Sequence, residues 1–128
     1  MRVLLDTHAF LWAITDNRKL SSRARDVFTS PSNELFLSVS SVWEIMQKVQ
    51  IGKLPLPSPA GAYLTEHLVK TNVQVLPIQL NHVLRLEFLP MHHRDPFDRI
   101  LVAQSIEEKL PILTADPLLR NYSVTLIW

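Results

Sequence analysis

Short apolar runs alternate with stretches of helical periodicity along the whole chain. Val3-Leu4-Leu5 is a continuous run, too short for a helix, and reads as a buried strand ending at Asp6. His8 to Ile14 follows with Phe10, Leu11 and Ile14 at helical spacing, and Ser21 or Ser22 caps a second helix through Thr29 with Ala24, Val27 and Phe28 facing inward. Leu35-Phe36-Leu37 with Val39 predicts the next strand. Ser41 then opens a helix whose apolar stripe is Val42, Ile45, Met46 and Val49, closed by Gly52. A proline-rich connection, Leu54 to Pro59, leads into a helix that starts at Ser58-Pro59 and runs to Thr71. Val73 to Ile78 reads as a third strand and Asn81 to Phe88 as a short helix. Asp95-Pro96 begins the strongest helix, with Phe97, Ile100, Leu101, Ala103 and Ile106 in period. Pro111 to Thr114 and Val124 to Ile127 complete the strands.

Strands that alternate with helices predict a parallel sheet covered on both faces, an α/β architecture without repeats or linkers. In such a sheet the carboxyl ends of all strands share one edge, and ligands bind there. Asp6, Glu44, Asp98 and Asp116 sit where strands hand over to helices or where helices open. Each has a structural explanation. Ser41-Val42-Trp43-Glu44 has the form of a capping box, Asp95-Pro96-Phe97-Asp98 puts Asp95 at a cap and Asp98 in the first turn, and Asp6 and Asp116 can cap too. Caps contribute about 1 kcal/mol each, however, and Ser, Thr or Asn serve as well as Asp. Acids at all the junctions would repel one another once brought to one edge, unless protons or a cation offset the charge. A hard divalent metal accounts for that choice; capping does not.

Composition narrows the chemistry. The 128 residues suit one domain, with 47% hydrophobic and 20% charged residues, an ordinary globular balance. A net charge of +1 does not by itself mark a nucleic-acid binder, so such a role rests on a local site. The absence of cysteine removes disulfides, zinc ribbons and thiol catalysis, and fits a reducing cytoplasm. The apolar start stops at Asp6, short of a signal or membrane segment. With only Gly52 and Gly61, neither a Walker loop nor a dinucleotide fingerprint is present. Carboxylates holding one or two Mg²⁺ or Mn²⁺ ions support phosphodiester hydrolysis without a protein nucleophile. Ser38, Ser40 and Ser41 lack a triad partner. His92-His93 lies in a loop expected to be exposed or to face RNA, and as ligands these histidines would suit Zn²⁺ better than Mg²⁺.

Together, Leu4-Leu5-Asp6-Thr7-His8, Ser41-Val42-Trp43-Glu44-Ile45 with Lys48 and Gly52-Lys53-Leu54, Asp95-Pro96-Phe97-Asp98-Arg99 with Leu101-Val102-Ala103-Gln104, and Leu113-Thr114-Ala115-Asp116 resemble the PIN-domain family, most of all its toxin ribonucleases of the virulence-associated protein C (VapC) type. The resemblance spans essentially the whole chain, with the motifs in order. It implies a single domain over residues 1–128, built as a three-layer α/β/α sandwich around about five parallel strands. It also implies Mg²⁺- or Mn²⁺-dependent endoribonuclease activity on RNA, a cognate antitoxin, a homodimer and a prokaryotic cytoplasmic setting. By motif position, Asp6, Glu44 and Asp98 would be the core metal-binding acids and Asp116 a more peripheral fourth. Thr7 and Thr114 would support them through hydroxyl hydrogen bonds, and Asp95 would be a cap.

Around the acids, Arg94 and Arg99 are expected to steer RNA or antitoxin carboxylates. Arg18, Lys19, Arg23 and Arg25 read as a solvated basic face. Trp12 and Trp43 fall within helical apolar patterns and are expected in the core. Phe10, Trp12 and Val27 are candidates for a surplus apolar groove that would receive an amphipathic antitoxin helix. The competing classes are a catalytically silent RNA-binding module of the same fold and a haloacid-dehalogenase-like phosphatase. The latter would carry a second aspartate where this chain has His8.

Overall fold

The computed structural model describes residues 1–128. Five strands, β1 (Arg2–Leu5), β2 (Glu34–Ser38), β3 (Val73–Leu76), β4 (Ile112–Leu113) and β5 (Leu126–Ile127), form one parallel sheet in the order β3-β2-β1-β4-β5. Successive residues of a strand point to opposite faces, and the sequence uses both. Val3 and Leu5 join Leu35, Leu37 and Leu113 in the larger core, whereas Leu4, Phe36 and Ile112 enter the smaller one beneath the sheet. This double burial explains why the strands read as unbroken apolar runs.

Helices α1 (Thr7–Ile14), α2 (Ser22–Thr29), α3 (Val39–Gln50) and α4 (Ala60–Lys70) supply Phe10, Val27, Ile45 and Leu64 to the larger core. On the other side, α6 (Pro96–Glu108) supplies Leu101 and Val102. Helix α5 (Leu80–Arg85) packs on α6, tied to it by the fully buried His82, whose Nε2 lies 2.8 Å from Glu108 Oε1. The architecture is the expected α/β/α sandwich. The chain steps from β1 through β2 to β3, then returns past β1 to β4. That reversal opens a crevice at the carboxyl edge between the segments leaving β1 and β4.

Several local expectations change. Helix α3 begins at Val39 rather than Ser41, because the pairing of β2 with β3 runs on to Ser38 and the Ser38 hydroxyl caps the helix by accepting the Ser40 N–H. The expected Ser41–Glu44 capping box therefore does not form. The buried face of α3 is Ser40, Ser41, Glu44 and Ile45, and Trp43 is 57% exposed instead of in the core. Phe10 and Val27 are fully used by the larger core, so they leave no surplus groove on the early helices. Trp12 is half-buried and meets Trp128 edge-on, with ring centroids 5.8 Å apart. Strand β3 stops at Leu76, where Pro77 has no N–H to extend the ladder.

Candidate active site

Asp6 is the first residue past β1 and the N-cap of α1; its Oδ1 accepts the Ala9 N–H at 2.7 Å. Its other oxygen accepts the hydroxyl proton of Thr114, which stands at the end of β4. A carboxylate only 8% exposed is costly to ionise. Burial pushes the Asp6 pKa up; the Thr114 and Ala9 hydrogen bonds and the charge of His8 pull against it, and the nearby Asp116 adds to the rise.

Glu44 reaches the same edge from the second turn of α3. Thr7 donates its hydroxyl to Glu44 Oε1 at 2.7 Å, and Lys48, one turn on, donates to Oε2 at 2.8 Å. Thr7 and Thr114 thus hydrogen-bond to two of the acids, Glu44 and Asp6. Asp95 caps α6 by accepting the Phe97 N–H at 2.9 Å, with Pro96 at the first helical position, which leaves Asp98 in the first turn facing the crevice. Burial first, then the neighbouring Asp95 carboxylate, pushes the Asp98 pKa up to about 7, against the opposing pull of His93. Asp116 caps the 3-10 turn Pro117–Asn121 by accepting the Leu118 N–H, and its own backbone N–H donates to the Thr114 hydroxyl oxygen at 3.0 Å.

The structure also assigns a residue that the sequence pattern placed in an exposed or RNA-facing loop. His93 Nε2 lies 3.1 Å from Asp98 Oδ2 and 3.3 Å from Asp116 Oδ2. Its Nδ1 accepts the Asp95 N–H at 3.2 Å, which leaves the ring proton on Nε2, donating toward the two acids. Its backbone N–H donates to the Tyr122 hydroxyl at 2.8 Å. His93 is therefore pinned inside the site. No periodicity marks a loop histidine; the only available signal was its place two residues before the Asp95 cap. Arg99 differs from expectation in the other direction. Its guanidinium donates to the carbonyls of Pro90, Leu89 and Leu86, so it organises the loop that carries His93 and is not free to steer a phosphate.

All four acids reach the carboxyl edge, and each influences another's ionisation or shares its cavity: Asp116 acts on Asp6, and Glu44 and Asp116 act on Asp98. Ligand atoms of His93, Asp98 and Asp116 fall within 4.8 Å of one another, close enough for one ion. With Nδ1 of His93 taken by the Asp95 N–H and its Nε2 donating, the carboxylate oxygens are the donors that remain, and they fit a hard divalent cation.

Residues 3–124 match the sequence profile of the PIN domain, and the chain belongs to that family. It is similar to Ribonuclease VapC16 of Mycobacterium tuberculosis (strain ATCC 25618 / H37Rv), with 28% identity over 61 residues. That match spans 48% of this chain and 43% of the relative, so the chain covers less than half the length of that protein. Its fold is also that of a chain in the crystal structure of VapBC2 from Rickettsia felis bound to a DNA fragment from their promoter. The TM-score is 0.73 with 12% identity, over 99% of this chain and 98% of that one, a likeness of fold alone.

Proposed function

We propose that the acid edge is a Mg²⁺- or Mn²⁺-dependent centre that cuts RNA internally, and that the protein is the toxin of a toxin–antitoxin pair acting in a prokaryotic cytoplasm. The observation that carries this reading is the convergence of Asp6, Glu44, Asp98 and Asp116 from separate segments into a crevice where burial and mutual repulsion raise Asp6 and Asp98. Family membership and similarity to a protein named as a ribonuclease support it. No helix is long and apolar enough to cross a membrane.

When bound, the divalent ion would supply a water of lowered pKa and neutralise charge on the phosphate oxygens. The chain's own residues prepare that site. Asp6, Glu44, Asp98 and Asp116 would hold the ion between them, and the closeness of Asp98 to Asp116 favours a larger share for Asp116 than its peripheral motif position implied. Thr114 and the Ala9 N–H fix the Asp6 oxygens, and Thr7 and Lys48 fix those of Glu44. His93 donates to the Asp98 and Asp116 oxygens that a cation would also seek.

The partners follow the surface. Large apolar side chains are exposed on neighbouring helices, with Trp43 on α3 and Leu80, Val83 and Leu84 on α5. An apolar cavity of about 230 Å³ between Trp43, Val83 and Phe97 adjoins them. This face, rather than the early helices, is where we place the homodimer contact; Trp43→Glu should convert a dimer to a monomer in light scattering. A cognate antitoxin is the remaining partner.

The activity test is cleavage of a labelled total RNA pool by antitoxin-free protein in Mg²⁺, Mn²⁺ or EDTA. Discrete metal-dependent products that vanish in Asp6→Asn and Asp98→Asn establish the reading. Folded, metal-binding protein that yields no products points instead to an RNA-binding module.

A further inference from the structure

Two cavities adjoin Asp116. One, of about 320 Å³, lies on the acid side against Asp6, His8 and Trp12. The other, of about 440 Å³, lies beyond Asp116 against Arg23, Arg120 and Trp128. Ala115 and Asp116 line both, and Trp12 of the first touches Trp128 of the second edge-on. A trough therefore leads from the acids, past Asp116, to a pair of guanidiniums beside an indole.

Arg23 comes from the first turn of α2 and Arg120 from the 3-10 turn after Asp116, so remote segments bring them to one cavity. Three other arginines have carboxylate partners, Arg2 with Glu34, Arg25 with Asp16 and Arg85 with Glu107, whereas Arg18, Arg94 and Arg99 do not. Arg23 and Arg120 have none. Two exposed guanidiniums facing one cavity repel each other; Asp116 lines the cavity too but pairs with His93 and with neither arginine, so an anionic ligand would supply their counter-charge. The planar guanidinium forks suit a phosphate, an aromatic wall suits a nucleobase, and the volume falls within the roughly 300–1,000 Å³ of small-ligand sites. A protein carboxylate would use the arginines and leave the indole idle; a nucleotide uses both.

We propose that this cavity is the subsite for a nucleotide flanking the scissile phosphate of single-stranded RNA, with its phosphate between Arg23 and Arg120 and its base against Trp128. The strand must be single because the base has to leave its own stack to reach the indole. The inference rests on the ribonuclease reading for the position of the scissile bond. Arg23 is exposed, as expected of a solvated face, and the proposal would give it a ligand as well.

The test is binding of a fluorescently labelled single-stranded RNA oligonucleotide of mixed sequence to the Asp98→Asn protein, followed by anisotropy across a salt series. On that background, Arg23→Ala with Arg120→Ala should weaken binding roughly 10-fold and flatten the slope of log K against log salt by about 0.7 per lost phosphate contact. Trp128→Ala should weaken binding roughly 10-fold and leave the salt slope unchanged. Arg2→Ala, at the opposite edge of the sheet, should change neither, and circular dichroism checks each fold. Unchanged affinity and slope in the double variant overturn the proposal, as does absence of any RNA binding. It also falls if the double variant binds RNA normally and loses only its protein inhibitor. Wild-type cleavage is scored separately. If RNA binds through the arginines but is never cut, the subsite stands and the ribonuclease reading falls; cleavage with unchanged KM in the double variant does the reverse.

Discussion

The two edges of the sheet carry charge in opposite ways. At the amino edge, Arg2 and Glu34 lie 3.8 Å apart with side chains 54% and 60% exposed, and the Met1 ammonium donates to Asn33. Opposite signs are mixed there and water does most of the screening, so the pair contributes little. At the carboxyl edge like charges meet in a crevice, partly out of water, and the chain can only moderate them: hydroxyls on Asp6 and Glu44, Lys48 on Glu44, an imidazole on Asp98 and Asp116. One strand end is finished by solvent. The other holds like charges together that a divalent cation would offset, and that arrangement is what motivates the metal reading.

Breaking the contrast at its centre should have the largest effect. Asp98→Asn should lower RNA cleavage by more than about 100-fold, beyond the 10- to 100-fold typical of losing an outer-shell partner. The same change removes a partly buried, repelled charge, so in EDTA at neutral pH it should raise Tm by about 5 °C. Thr114→Val keeps every carboxyl group but frees one Asp6 oxygen and the Asp116 N–H; it should weaken Mn²⁺ binding about 10-fold by calorimetry.

The pH dependence is next in size. The Asp98 pKa is about 7 in the fold against an ordinary 3.8, and Asp6 is also raised, so the folded state holds more protons between those values than the unfolded chain does. Stability of the metal-free protein is then greatest at the acid end of that window and is lost as pH rises toward 7. Melting in EDTA should fall by on the order of 5 °C from pH 5 to pH 7.5, and Asp98→Asn should flatten that slope. Asp95→Asn should keep cleavage within about twofold, because Asn caps α6 as well as Asp does. At the amino edge, Arg2→Ala should cost under about 0.5 kcal/mol in urea titration and leave activity unchanged.

How much of this was legible follows the same division. The strands and helices were readable because burial on both faces writes unbroken apolar runs and helical stripes, and the acids were readable because they stand at the junctions. The start of α3 was not: Ser38, Ser40 and Ser41 can each cap, and only the pairing of Ser38 with Leu76 in β3 decides among them. That shift in starting point dissolves the capping box and frees Glu44 for Thr7. Trp43 misled because an apolar stripe implies a core, yet α3 turns Ser40, Ser41 and Glu44 inward and leaves the indole outside. His93 and the Arg23–Arg120 pair depend on loops and on segments distant in sequence, where periodicity carries no information.

The central claim is that the carboxyl edge is completed by a divalent cation. The most direct test is thermal melting at pH 7.5 with and without millimolar Mn²⁺, for the wild type and Asp98→Asn. A ligand that binds only the folded state raises its stability by about 2.7 kcal/mol at 100 times Kd, so the wild type should melt several degrees higher with Mn²⁺ and the variant should not. Equal melting of the wild type with and without the ion would contradict the account and leave Asp6 and Asp116 as caps alone.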